Sequence, residues 1–204
     1  MRVIVPFAAE TPKTRLSSVL DDAERRGFAR VMLRGVLATL GESSIDPEVL
    51  ATAEIAVDAP VRVDERPLTA AVNAVIAETE DTVAVVMADL ALATPASLGR
   101  LFDGEEDVVV APGRGGGTNA LVVRDPAFRV DYHGVSYRDH LEAAGEVDAS
   151  VRTVDSHRLA TDVDEPSDLA EVLIHGDGEA RTWLERRGFE LAVEDGRIGV
   201  TRRP

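Results

Sequence analysis

The stretch "TVAVVMADL", residues 82–90, decides the fold. Its apolar residues run without polar alternation, the pattern of a strand covered on both faces. Such a strand needs helices above and below it, and the flanking sequence supplies them. "RVIVPF" (2–7) reads as a buried strand, and "DDAERRGFARVMLRGVLATL" (21–40) as a helix with Asp21 or Asp22 at its cap and Val31, Leu33, Val36, Leu37 and Leu40 along one stripe. "TAEIAVDA" (52–59) is expected to be the second strand, and "PLTAAVNAVIAETE" (67–80) a helix opened by Pro67. Downstream, "TPASLGRLF" (94–102), "VSYRDHLEAAG" (135–145), "EPSDLAEVLIHG" (165–176) and "GEARTWLERRG" (178–188) read as helices. "DVVVAP" (107–112), "TNALVVRD" (118–125) and "SVRTVD" (150–155) read as strands, and Asp195-Gly196 marks a hairpin turn within 189–202. Strands alternating with helices predict an α/β fold with a mostly parallel sheet flanked by helices. Residues 1–204 are expected to form one domain, with 178–204 as a small C-terminal helix and β-hairpin. In such sheets ligands sit beyond the carboxyl ends of the strands.

Composition narrows the function classes. The 204 residues carry 37 acidic and 22 basic side chains, a formal charge of −15, with the acids spread along the chain. A surface of that sign disfavours nucleic acid and anionic membranes as partners. With no Cys, disulfides and thiolate metal sites are excluded. No apolar run is long enough to cross a bilayer, and "MRVIVPF" is too short for a signal segment, so a cytoplasmic protein is expected. Of the basic residues, 21 are Arg and only residue 13 is Lys. Acid excess with Lys depletion reads as adaptation to a high-salt cytoplasm, where screening weakens self-repulsion. Arg replacing Lys in a GC-rich genome is the plainer alternative.

The lone lysine lies in "TPKTRL" (11–16), where Lys13 and Arg15 leave the first strand through a Pro-containing loop and enter a helix. A compact ammonium and a planar guanidinium beside a helix start make a phosphate site; a surface loop of ordinary charges is the plain alternative. Asp89 closes the central strand, where a carboxylate is costly to desolvate unless paired or bound to a cation. A cap for the following loop would account for it equally well. "APGRGGGTNAL" (111–121) holds four Gly in five residues. It matches neither the Walker nor the Rossmann pattern, but Gly115, Gly116 and Gly117 expose backbone amides to an anion, and Thr118 and Asn119 add side-chain donors. In "YHGVSYRDHLEAAG" (132–145) Ser136 is expected to cap a helix close to His133 and Gly134, and His140 to be structural or a minor substrate contact. In "TDVDEPSDL" (161–169) Asp162 and Asp164 face one side of an extended segment, and either could join Asp89 at a cation; Asp164 could instead cap the helix at Pro166. Together these features suit a nucleoside triphosphate, Mg²⁺ and a second phosphorylated molecule, and the chemistry of phosphoryl or nucleotidyl transfer.

The ordered set "PKTRL" (12–16), "MADLAL" (87–92), "GRGGGTNAL" (113–121), "YHGVSYRDHL" (132–141) and "DVDEPSDL" (162–169) resembles the archaeal 2-phospho-L-lactate guanylyltransferase family, known as CofC. The resemblance implies a glycosyltransferase-A-like nucleotidyltransferase fold, usually as a homodimer. It implies condensation of GTP with 2-phospholactate to lactyl-diphosphoguanosine and pyrophosphate, in deazaflavin coenzyme biosynthesis. Carried onto this chain, it has Lys13, Arg15 and Asp89 as the catalytic set, with Pro6, Phe7 and Asn73 as further nucleotide contacts. Mg²⁺ would sit on Asp89 and one of Asp162 or Asp164, and Gly116, Gly117, Thr118, Asn119, His133, Gly134 and Ser136 would surround the phospholactate. Two departures stand out: "AAETPKTRL" (8–16) lacks the Gly-rich first loop of many relatives, and Ala91 stands where they often have Pro. The alternatives are a nucleotidyltransferase of the same fold with another acceptor (phosphoenolpyruvate, a sugar phosphate or molybdopterin) and a nucleotide-binding module without turnover.

Overall fold

A computed structural model describes residues 1–10, 12–194 and 196–203. Seven strands form one sheet: β1 (Arg2–Phe7), β2 (Glu48–Ala51), β3 (Val61–Val63), β4 (Val83–Val86), β5 (Val108–Pro112), β6 (Thr118–Val123) and β7 (Val151–Thr153), in the order β3-β2-β1-β4-β6-β5-β7. β6 runs antiparallel to both of its neighbours, and every other pairing is parallel. That inversion places the start of β6 beside the carboxyl ends of β1, β4 and β5.

The sheet is covered on both faces, as the central run predicts. Alternate residues sort cleanly: Val3, Val5, Ala84, Val86, Ala120 and Val122 face one cluster, and Ile4, Val83, Val85, Leu121 and Val123 face the other. The first cluster packs under α1 (Asp22–Glu42) and α3 (Pro95–Phe102), the second under α2 (Leu68–Glu78) and α4 (Ser136–Glu146). Asp21 accepts from the Glu24 N–H at 2.8 Å and caps α1, while Thr94 caps α3 ahead of Pro95. A third cluster joins α1 to α6 (Pro166–His175), α7 (Glu179–Arg186) and the antiparallel hairpin β8 (Phe189–Glu194) and β9 (Arg197–Arg202). Of the expected Asp195-Gly196 turn, Asp195 lies outside the described residues; Gly196 has φ +73°, the left-handed backbone such a turn needs. Among the described residues no helix is long and apolar enough to cross a membrane.

Three local expectations are corrected. The second strand is not 52–59 but β2 at Glu48–Ala51, whose four residues pair with Ile4 to Phe7. Ile55, Val57 and Ala59 mimic a strand by alternating, yet they pack against the core from the connection that leads to β3. The central strand also stops at Val86, so Asp89 sits in the turn beyond it. Finally, Lys13 and Arg15 enter no α-helix but a single 3-10 turn, Thr14–Ser18, pinned by buried Leu16.

Candidate active site

The chain leaves β1 at Phe7 and returns at Pro12, which is buried. Lys13 then takes a left-handed backbone, φ 57°, uncommon for a residue other than Gly and typical of strained functional positions. This turns its side chain inward, leaving it 11% exposed. Its Nζ donates to Asp89 Oδ2 at 2.5 Å and to Asp164 Oδ1 at 2.6 Å. The backbone seats those carboxylates side by side, because the Asp89 carbonyl accepts from the N–H groups of Ala91 at 2.9 Å and Val163 at 3.3 Å. Burial pulls the Lys13 ammonium toward neutrality, but the two carboxylates outweigh it and raise its pKa above the ordinary value. Arg15 stays 69% exposed, 3.6 Å from Asp164 Oδ2, with most of its fork open.

Asp162 belongs to the same group. Its Oδ1 accepts from Asn119 Nδ2 at 3.0 Å, and that amide also donates to the Leu159 carbonyl at 2.9 Å. Burial, partly offset by the Asn119 bond and reinforced by Asp89 nearby, raises the Asp162 pKa. Asn119 therefore positions a carboxylate from the second residue of β6, a place open to it only because β6 is inverted.

The sequence reading passed over two supports. Arg114 pairs with Asp168 at 2.5 Å, and its N–H donates to the Ala160 carbonyl at 3.0 Å. Asp168 Oδ2 accepts from the N–H groups of Asp164 at 3.0 Å and Glu165 at 2.7 Å, so it fixes the acidic segment from below. The helix cap is thus Glu165 rather than Asp164, and Asp164 is left to Lys13 and Arg15. The signal was present in "EPSDL" (165–169), where an acid three residues after the cap is a capping-box pattern.

The glycine loop leans on the start of α4. Gly116 has φ +83°, a Cβ on it would lie 2.9 Å from Val135 Cγ1, and its carbonyl accepts from the Tyr137 N–H at 3.1 Å. Gly115 and Gly117 have open space where a Cβ would stand, so their surroundings leave room beside the backbone for a ligand. Gly134 takes φ +52°, and Val135, not Ser136, occupies the cap position of α4. Ser136 is the first helical residue and is buried. His133 is exposed and hydrogen-bonded to Asp131, whose carboxylate raises its pKa. Thr118 is buried against His140, at 2.9 Å from Nδ1. His140 Nε2 lies 3.0 Å from the Asp131 N–H and can only accept from it, so the ring proton sits on Nδ1 and is donated to the Thr118 hydroxyl.

Pro6, Phe7, Lys13 and Asp89 line one cavity of about 210 Å³, closed behind by Ala29 and Met32 of α1. A larger cavity, about 770 Å³, lies between α1, residues 90–95 and the start of α7, and contains none of the predicted site residues. The Asn73 amide is engaged with both backbone groups of Val130 at 2.9 Å. What converges is three carboxylates, an enclosed ammonium and an open guanidinium, functional groups that hold a polyphosphate with its counter-cation, while in the glycine loop the Gly116 N–H is already held by the Gly113 carbonyl at 3.0 Å.

The guanylyl transferase CofC-like family matches residues 1–203. A 2-phospho-L-lactate guanylyltransferase of Halomicrobium mukohataei is 60% identical over 202 residues, covering 99% of this chain and 100% of that protein. One of Natronomonas pharaonis is 56% identical over 203 residues, covering 100% of both. Among solved structures, a provisionally named nucleotide-diphospho-sugar transferase of Desulfovibrio desulfuricans superposes with a TM-score of 0.77 at 14% identity, covering 91% of this chain and 94% of that one. A nucleotidyl transferase from Methanothermobacter gives 0.58 at 13% identity, covering 91% and 99%. These distant likenesses show the fold.

Burial lowers the His140 pKa from the ordinary 6.5 to about 4, despite the opposing pull of Asp139 and Asp131. Its stabilisation is complete above pH 6.5, where folded and unfolded forms are both neutral, and is lost as the pH falls toward about 4. That loss amounts to roughly 3 kcal/mol. Urea unfolding across this range is expected to show a steeper pH dependence for the native protein than for His140→Gln. Parallel profiles would contradict a buried neutral imidazole.

Proposed function

The chain belongs to the CofC-like guanylyl transferase family, and from that premise we propose that it condenses GTP with (2S)-2-phospholactate in the biosynthesis of a deazaflavin coenzyme. The products are lactyl-2-diphospho-5′-guanosine and pyrophosphate. The observation that carries this reading is Lys13 Nζ, held between Asp89 and Asp164 beside the cavity of Pro6 and Phe7.

A phosphate oxygen of phospholactate attacks the α-phosphorus of GTP. The new P–O bond forms as the bond to the bridging β-phosphate oxygen breaks, and pyrophosphate carries that electron pair away. The attacking phosphate is already ionised at neutral pH, so the chain needs no general base. Its work is alignment and charge neutralisation. Lys13 and Arg15 face the triphosphate, the first as a point charge and the second as an open fork. The Gly117 amide, with Gly116 (whose own N–H is held by the Gly113 carbonyl at 3.0 Å), His133, Gly134 and the start of α4, provides the concavity assigned to phospholactate. Thr118 and Asn119 support it from beneath through His140 and Asp162.

Mg²⁺ fits the donor set. Asp89 Oδ1 is buried with no hydrogen-bond partner among the described residues, and Asp162 and Asp164 bring further hard oxygen donors. Asp89 with Asp162 or Asp164 would hold the ion, which when bound neutralises charge on the phosphate oxygens. The reading includes a homodimer, supported by the exposed Leu191, Val193 and Ile198 of the C-terminal hairpin. The −15 charge supports a protein working in concentrated salt, as the haloarchaeal names of its relatives fit.

Pyrophosphate release in molar KCl is the direct test. Release is expected from GTP with phospholactate and Mg²⁺, and not from GTP alone. Release with phosphoenolpyruvate instead would reassign the acceptor, and ATP serving as well as GTP would remove the guanylyl assignment. Asp89→Asn removes charge without volume and is expected to lower turnover by about 10²–10³-fold with an unchanged melting temperature to within a few degrees. Lys13→Arg is expected to cost about tenfold in kcat/KM, ~1.4 kcal/mol, because a planar fork cannot replace an ammonium shared by two carboxylates. Unchanged kinetics would reduce Lys13 to a structural partner of Asp89 and Asp164.

A further inference from the structure

Three of the chain's metal-capable side chains meet away from the active site. His157 opens α5 (His157–Ala160), and Glu171 and His175 lie one turn apart on α6. His157 Nε2 is 3.3 Å from Glu171 Oε2, and His175 Nε2 is 3.6 Å from the same oxygen. One ligand atom from each lies within 4.8 Å of the other two. The rings stand edge to face, with centroids 5.1 Å apart at 79°.

The two His–Glu spacings are close to those of co-ligands. A charge-assisted N–H···O bond closes to about 2.7–2.9 Å, and neither histidine comes that near. Tetrahedral zinc, with bonds to nitrogen and carboxylate oxygen of about 2.0–2.2 Å, separates its ligand atoms by about 3.3–3.5 Å. The two His–Glu distances sit at or just beyond that edge. Arg114 Nη1 approaches Glu171 Oε1 at 3.5 Å, which weakens the carboxylate's charge but leaves Oε2 to the imidazoles. The side chains of His157, Glu171 and His175 are 50%, 26% and 46% exposed, so solvent can supply the fourth ligand. Two imidazoles and one carboxylate suit a borderline cation such as Zn²⁺ or Co²⁺, whereas the all-carboxylate group at Asp89 suits a hard one.

We propose that His157, Glu171 and His175 form a binding site for one Zn²⁺-class divalent cation, separate from the catalytic carboxylates. An ion there ties α5 to α6, the two helices that bracket residues 161–165 and hence Asp162 and Asp164. It is a staple on the segment that carries the active-site acids.

Titration of the chelator-treated full-length protein with Co²⁺ in molar KCl tests this, because the visible spectrum of Co²⁺ reports its geometry. One equivalent is expected to bind with the intense absorption of a four-coordinate ion and to be displaced by Zn²⁺. His157→Ala and His175→Ala are each expected to abolish that absorption, and Asp89→Asn to leave it intact. Metal-free melting curves of both histidine variants, expected to match the wild type, separate lost ligation from lost folding. In parallel, Zn²⁺ is expected to raise the melting temperature of the wild type and of neither histidine variant. No saturable binding, an octahedral spectrum, absorption that survives in both histidine variants, or loss in Asp89→Asn would overturn the site. Guanylyl transfer is not the readout, so either result leaves the enzymatic reading untouched.

Discussion

One ammonium between two carboxylates ties the functional end of the molecule together. Lys13, Asp89 and Asp164 come from three distant parts of the chain, the loop after β1, the turn after β4 and the segment before α6, and they meet within 2.5–2.6 Å of one nitrogen. Without the lysine, two partly buried carboxylates would face each other with no countercharge, an arrangement that is strongly destabilising. Without the carboxylates, burial would push the ammonium toward neutrality. The trio is thus mutually dependent, and it gives the cavity of Pro6 and Phe7 a charge pattern that is already in place. This also gives the lone lysine a physical reason. A tetrahedral ammonium can donate along separate directions to two carboxylates, while a guanidinium pairs best with one in its own plane.

The inversion of β6 is the second constraint. In an all-parallel sheet the residues that open a strand lie at the end away from the ligand. Because β6 runs against β4 and β5, its first residues, Thr118 and Asn119, join the carboxyl ends of its neighbours. The glycine loop that precedes β6 is carried there with them. Asn119 then reaches Asp162, and Arg114 reaches Asp168, which holds the backbone of Asp164 and Glu165. The acids are fixed from the loop side as well as from the lysine side.

Much of this was legible without coordinates, for identifiable reasons. The unalternating run 82–90 implied a sheet covered on both faces, and capping residues such as Asp21 and Thr94 marked helix starts to within about a residue. Lys13, Asp89, Asp162, Asp164 and the glycine loop stood out because charge or excess glycine at a strand end has few purely structural uses. The failures were local. Ile55, Val57 and Ala59 alternate like a strand, yet backbone pairing goes to the four residues Glu48–Ala51 before them. Ser136 looked like a cap, but the turn at Gly134 shifts the helix start so that Val135 takes that position.

The sequence by itself determined the layers of the fold, the chemical types at the site and the sign of the surface, because these follow from periodicity, composition and the cost of burying charge. The tertiary structure decided which of those groups touch. β6 reverses against β5 locally, across the short glycine loop that joins the two strands, whereas strand order and the left-handed turn at Lys13 depend on pairings between residues dozens of positions apart, which no local pattern encodes. The same holds for His157, Glu171 and His175, three unremarkable letters in the chain whose ligand atoms only the tertiary fold brings within 4.8 Å.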